Sequence, residues 1–411
     1  MITRIEALNY RCLRRVEQDV GAFNVLVGPN GSGKSTFLDV LAFLRELVRD
    51  GPDEAVAMRV ADYRELFWML TANRLKLAVE AAVPEDRLSG AQKGRYDTCR
   101  YEVVVGSVDE RGVGLIGETL WLTRRSKPSA RQLHLFPSPP SPASEIAVPQ
   151  RRSSSLKLIN KSPKGNDVFY TQTGKWNPIF QLGPHKSALG NLPDDETRFP
   201  TATWFRRFLT EGVHVIALDP GDMKRPCPIT RSRGLRSDGS NLPWVIRLLT
   251  EKKVDFDEWV GHLRTALPDL ESVETVEMED RSCYVSLRYR NGLKAPSWAL
   301  SDGTLRMLGL TVIPYVTEPG RVYLIEEPEN GIHPAALEAV FQSLTSVYDG
   351  QVLVATHSPV MVSMTGLDQL LCFAKSGEGA VDVVSGTQHP RLRDWHQEVS
   401  LGTYLAGGVL G

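Results

Sequence analysis

The run GPNGSGKST, Gly28 to Thr36, constrains this chain more than any other part of its 411 residues. It satisfies the pattern G-x-x-x-x-G-K-[ST] in a context that gives the pattern meaning. The apolar run FNVLV precedes it, and STFLDVLAFLRELVRD, with apolar residues at helical spacing, follows it. A buried strand, a Gly-rich turn and a helix in that order let Gly28, Gly31 and Gly33 turn backbone N–H groups inward. The helix start contributes the positive end of its dipole. Asn30, Gly31, Ser32, Gly33, Lys34, Ser35 and Thr36 therefore read as a cradle for phosphate oxygens, with Lys34 reaching the β- and γ-phosphates and Ser35 offering its hydroxyl to Mg²⁺.

Two later stretches carry groups that such a cradle can use. VYLIEEPENGIHP, Val322 to Pro334, ends a buried-looking strand in two consecutive carboxylates. Acids at a strand end are costly to bury unless a cation or water takes up their charge. Neighbouring residues on a strand point to opposite sides, so the two should do different work. Glu326 is expected on the Mg²⁺ side, acting through a water, and Glu327 is expected to polarise an attacking water. LVATHSP, Leu353 to Pro359, ends a second apolar strand at His357. A lone histidine there is more often structural than catalytic, but one strand beyond the acid pair an imidazole can touch a γ-phosphate and sense its loss.

A third stretch, ALSDGTLRML, begins about 270 residues after the phosphate loop. Ser301 is a good N-cap, Asp302 sits in the first turn, and Gly303 allows close backbone approach. Taken alone this is an ordinary capped helix. In a chain that already has one phosphate loop, a second helix start facing an anion suggests a nucleotide held between two copies.

The rest of the chain frames these pieces. ITRIEALNY alternates like a half-buried strand, and LKLAVEAAV and RYEVVVG read as strands beside it, so the opening is α/β. Residues 127–155 are rich in Pro and Ser and have no period, as in a loop or disordered insertion. From Arg124 to Asn166 there are nine Lys or Arg (Arg124, Arg125, Lys127, Arg131, Arg151, Arg152, Lys157, Lys161 and Lys164) against the single acid Glu145, and a second basic stretch runs from Arg206 to Arg236. TWFRRFLTEG, LPWVIRLLTEKK and FDEWVGHLRTAL read as helices, and the last third returns to α/β with DGTLRMLGLTVIPYV as one helix. The expected divisions are an α/β lobe with the phosphate loop over 1–125, a basic insertion or linker over 126–200, a helical lobe over 201–268, and a second α/β part with the SDG turn, acid strand and histidine strand over 269–411. The net charge of −1 gives no global case for nucleic acid or an anionic membrane. Cys12, Cys99, Cys227, Cys283 and Cys372 are scattered, with no CxxC, and read as reduced thiols. With no long apolar run and no signal-like N-terminus, the expected location is cytoplasmic, with no membrane span.

Five stretches together, IEALNYRCL, FNVLVGPNGSGKSTFLDVL, ALSDGTLRML, YLIEEPENGIHP and VATHSP, resemble the ATP-binding-cassette superfamily. The resemblance is to the branch holding RecF, the structural-maintenance-of-chromosomes (SMC) heads and the OLD (overcoming lysogenisation defect) ATPases, in a compact form without a Toprim nuclease domain. LRSDGSNLPWVIRLL and the ending SLGTYLAGGVLG are similar to segments of that branch, while about 85–200 matches nothing assignable. The resemblance implies an α/β P-loop NTPase of ABC/SMC-head type, its mixed sheet flanked by helices and carrying an inserted helical lobe. It implies ATP and Mg²⁺ as ligands, Ser35 and Glu326 on the metal, Glu327 as catalytic base and His357 as switch histidine. Ser301, Asp302 and Gly303 would act in trans across an ATP-sandwiched homodimer. Its biological implications are a DNA-processing or anti-phage defence role exerted through a separate effector, a nuclease or other toxin, with DNA or RNA contact. The alternatives are a RecF-like repair clamp and, less compatible with the LSDGT turn, a transporter's nucleotide-binding subunit. Two departures stand out. Glu326 replaces the usual Asp, and no glutamine is assigned to couple Mg²⁺ to the second lobe; Gln92 is nearest by position.

Overall fold

The computed structural model describes residues 1–109, 112–125, 155–162, 166–174, 176–230, 234–392, 400–408 and 410. The chain divides into two compact units interleaved in sequence. Met1–Gly21, Asn30–Val213 and Phe373–Val384 form the first, and Ala22–Pro29, His214–Cys372 and Ser385–Gly411 form the second.

The first unit is built on an eight-stranded antiparallel sheet. Its order is Leu13–Asp19, Ile2–Tyr10, Arg74–Ala82, Thr98–Asp109, Gly112–Thr123, Leu156–Lys161, Asp167–Phe169, Ile179–Phe180. The register sets Ile5, Val79, Tyr101 and Leu120 side by side on one face and Arg4, Glu80, Arg100 and Trp121 on the other, as the period of two requires. Two helices pack against the sheet. Phe43 of Lys34–Arg49 packs on Tyr10 with ring centroids 5.6 Å apart, and Phe205 of Pro200–Gly212 packs on Tyr101 at 5.7 Å. On the polar face Arg100, 3 % exposed, is surrounded by Glu6, Glu80 and Glu102. Within the stretch 126–200, Leu156–Lys161 and Asp167–Phe169 pair into the sheet. Ser187–Leu189 are tied to it by Glu118, whose buried carboxylate accepts from the Ser187 hydroxyl and the Ala188 and Leu189 N–H groups. The Pro/Ser-rich part, 126–154, lies outside the described residues.

The second unit holds a parallel ladder in which Val322–Glu326, Gln351–Ala355, Phe23–Val27 and Leu370–Lys375 are neighbours in that order. FNVLV and QVLVA are buried throughout, and VYLIE is buried up to its final glutamate. Near-continuous apolar strands of this kind suit a parallel sheet covered on both faces. Helices Leu242–Thr250, Lys253–Ala266, Asp302–Thr311 and Pro334–Thr345 contribute to one core around Trp259, whose indole N–H donates to Thr311 Oγ1 at 3.1 Å. A three-stranded antiparallel sheet, Leu270–Glu277, Cys283–Tyr289 and Lys294–Pro296, completes the unit. The segment expected as one helix from Asp302 to Val316 is two, Asp302–Thr311 and Ile313–Val316. Pro314 explains the break, because it lacks the N–H that a continuing helix needs. Among the described residues no helix is long and apolar enough to cross a membrane.

Candidate functional site

In the first unit, the loop from Asn30 to Thr36 runs directly into helix Lys34–Arg49. Gly31 (φ 70°) and Gly33 (φ 95°) are left-handed, a conformation that side chains resist. At Gly33 space forbids a side chain as well: a Cβ would lie 2.7 Å from Val381 Cγ2 and 3.2 Å from Cys12 Sγ. Gly33 is the N-cap, and no side chain caps the helix. Lys34 is only 6 % exposed, and the Ser32 hydroxyl is buried without a hydrogen-bond partner among the described residues. An orphaned buried hydroxyl and a helix start without a side-chain cap fit a phosphate ligand, whose oxygens supply the missing acceptors. Cys12, expected only as a scattered reduced thiol, meets the far end of the loop, with its Sγ 3.4 Å from Thr36 Oγ1.

In the second unit, the acid strand ends at Glu326 and the backbone then turns sharply. Both acids are exposed. Glu327 has φ 46°, left-handed for a side chain with no glycine-like freedom. Such a conformation costs about 1–3 kcal/mol and persists only where the surroundings impose it. Here the Glu327 N–H donates to Ala355 O at 2.8 Å, the Asn330 N–H donates to Glu327 O at 3.0 Å, and the Asn330 side-chain amide donates to Glu327 Oε2 at 2.6 Å. The neighbouring strand delivers His357, half-buried, with its N–H donating to Glu329 Oε1 at 2.7 Å. Asn330, which bonds the Glu327 carboxylate, and Glu329, which bonds the His357 backbone, both lie in the segment PEN directly after the acid pair, and neither is among the residues expected from the sequence.

The SDG turn lies in the same unit. Ser301 Oγ accepts from the Thr304 N–H at 3.1 Å, so the expected N-cap forms. Asp302 Oδ1 accepts from Lys224 Nζ at 2.6 Å, so its carboxylate is neutralised within the chain. Gly303 is needed for contact: a Cβ there would lie 2.1 Å from Gly331 O, in the loop that follows the acid pair. The structure thus brings this turn against the loop that carries Glu327.

Gln92 is buried in a loop of the first unit, accepting through Oε1 from the Ser89 N–H and the Gln172 side-chain amide, which is a structural brace. Several of the basic residues are also engaged. Lys161 pairs with Asp167 in the interior, Lys157 lies over the Trp121 ring, and Arg206 and Arg207 pair with Asp194 and Glu196. Lys127, Arg131, Arg151, Arg152 and Lys164 lie outside the described residues.

A phosphate loop on a long helix, and a parallel ladder whose buried strands deliver an acid pair and a histidine, define a P-loop ATPase of the ABC/SMC-head type. The family model described as "AAA domain, putative AbiEii toxin, Type IV TA system" matches residues 23–67 and 175–363, more than half of the chain, and the chain belongs to that family. The fold is shared with solved SMC heads. One is an SmcHead bound to the C-winged helix domain of ScpA, 16 % identical, with a TM-score of 0.53, covering 93 % of this chain and 97 % of that one. Another is an Smc head domain with an extended coiled coil bound to the C-terminal domain of ScpA, derived from Pyrococcus furiosus, 13 % identical, with a TM-score of 0.52, covering 93 % and 96 %. No curated protein matches the chain.

Proposed function

We propose that this chain is a Mg²⁺-dependent ATPase that dimerises head to head on ATP and uses the cycle of binding and hydrolysis to control a separate effector. The observation that carries the reading is the fixed carboxylate of Glu327, held left-handed at the end of a buried strand by Ala355 and Asn330 in a chain with a complete phosphate loop. Asn30 to Thr36 bind the phosphates, with Lys34 as countercharge. Ser35 and Glu326 hold Mg²⁺, which supplies positive charge where the transferred phosphoryl group gathers negative charge. Glu327 orients and polarises the attacking water. His357 contacts the terminal phosphate, and Ser301 to Gly303 complete the site of a second copy. The family's description as a putative toxin of a type IV TA system supports a toxin–antitoxin setting for that cycle. The internal pairing of Arg206, Arg207 and Lys161 gives DNA contact little support from the described basic residues.

The test is the mass of a Glu327→Gln protein by light scattering, with and without Mg-ATP. Doubling on ATP, together with hydrolysis by the wild type and loss of nucleotide binding in Lys34→Ala, supports the reading. A monomer at saturating ATP sinks it.

A further inference from the structure

The ladder between the acid strand and the histidine strand ends at the pair Glu326–Ala355, and the Glu327 N–H adds a last backbone bond to Ala355 O at 2.8 Å. Because Glu327 is left-handed, the backbone then leaves the ladder, and it cannot offer a carbonyl to the next donor on the histidine strand. A side chain takes that place. Glu329 Oε1 accepts from the His357 N–H and also from the hydroxyl of the fully buried Thr356, each at 2.7 Å. The Thr356 hydroxyl oxygen in turn accepts from the Ser358 N–H at 2.9 Å, so the whole turn carrying His357 is fastened to one carboxylate oxygen. The other oxygen, Oε2, is buried with no hydrogen-bond partner among the described residues. A half-satisfied carboxylate is a poor way to gain stability. Its definite contribution is to fix the spacing between the loop bearing Glu327 and the backbone of His357.

We propose that Glu329 is the positioning residue for His357, holding the histidine's backbone in register with Glu327 so that both address the same phosphate. This rests on the reading above that the chain hydrolyses ATP. The role is one of geometry, since it uses a single acceptor atom. An amide oxygen in the same place should serve, and a methyl group should not.

The experiment compares wild type, Glu329→Ala, Glu329→Gln and Glu329→Asp in steady-state ATP hydrolysis. Amide hydrogen exchange is measured in parallel on the peptide containing His357. In Glu329→Ala, kcat is expected to fall at least tenfold with KM within about threefold of wild type, and the His357 amide to exchange at least tenfold faster. Glu329→Gln is expected to restore both to within about threefold. If the alanine variant does not fold, the aspartate variant, which keeps the charge but loses the reach, takes its place and should be slower than the glutamine variant. Wild-type turnover in Glu329→Ala overturns the proposal, as does a glutamine variant as slow as alanine or aspartate. If the wild type hydrolyses no ATP, the proposed function fails, and the exchange data alone decide this point: an unchanged His357 amide in Glu329→Ala overturns it.

Discussion

At the scale of single residues, two helical glycines of the second unit show how context reverses a propensity. Replacing a helical glycine by alanine ordinarily stabilises by about 0.5–1 kcal/mol, because the unfolded chain loses freedom. Gly261, within Lys253–Ala266, has nothing within 4 Å of its absent Cβ, so Gly261→Ala should follow the rule. Gly303, in the first turn of Asp302–Thr311, would place its Cβ 2.1 Å from the carbonyl oxygen of Gly331, a backbone atom that cannot swing aside. Gly303→Ala must push the SDG turn off the loop that carries Glu327. Thermal unfolding should show Gly261→Ala raised and Gly303→Ala lowered relative to wild type, and ATP turnover should fall only in the second. A stabilised, active Gly303→Ala protein would show that the contact has no role.

At the scale of elements, the phosphate-loop helix is anchored along one face by charge. Asp39, Phe43 and Glu46 recur at helical spacing and meet a single side chain, Arg59. Its guanidinium bonds to Asp39 at 2.6 Å and to Ala55 O at 2.8 Å, pairs with Glu46, and lies 5.1 Å from the centre of the Phe43 ring. Burial opposes its charge, but hydrogen bonding and attraction from Asp39, with Tyr10 and Glu46 adding, outweigh burial and raise its pKa. Removing one partner from a buried pair strands the other, at about 3–5 kcal/mol. Arg59→Met should therefore lower the urea midpoint clearly, whereas Arg64→Ala, which loses only an exposed pairing with Asp62, should leave it in place. The network also shows where legibility ends. The phosphate loop, acid strand and histidine strand were readable because buried parallel strands are short apolar runs and their functional residues follow directly. Leu13–Asp19 was missed because LRRVEQD is mostly polar and only partly buried. Leu156–Lys161 was missed because it follows a Pro/Ser-rich run and draws its pairing from a strand far back in the chain. The role of Glu329 was illegible for a related reason: its partners are 27 and 28 residues away, and one of them is a backbone N–H, which no residue type encodes.

At the scale of the whole molecule, two roles of Ser301 can be separated, capping a helix and facing the nucleotide of a second copy. Its Oγ is committed to the Thr304 N–H, so deleting the side chain would confuse a lost cap with a lost contact. Aspartate separates the two. It caps as well as serine, so Ser301→Asp should keep the unfolding free energy within about 0.5 kcal/mol of wild type. Toward an incoming triphosphate it adds a negative charge where Ser301 offers a neutral hydroxyl. Asp302 beside it already carries a carboxylate, which is paired with Lys224. In the Glu327→Gln background, the Ser301→Asp protein should bind Mg-ATP through its own phosphate loop with unchanged affinity and yet stay a monomer by light scattering. In the wild-type background it should hydrolyse ATP at least tenfold more slowly. If instead it doubles in mass on ATP as the parent does, the turn is only a well-capped helix, and a dimer, if it forms, must close on other residues.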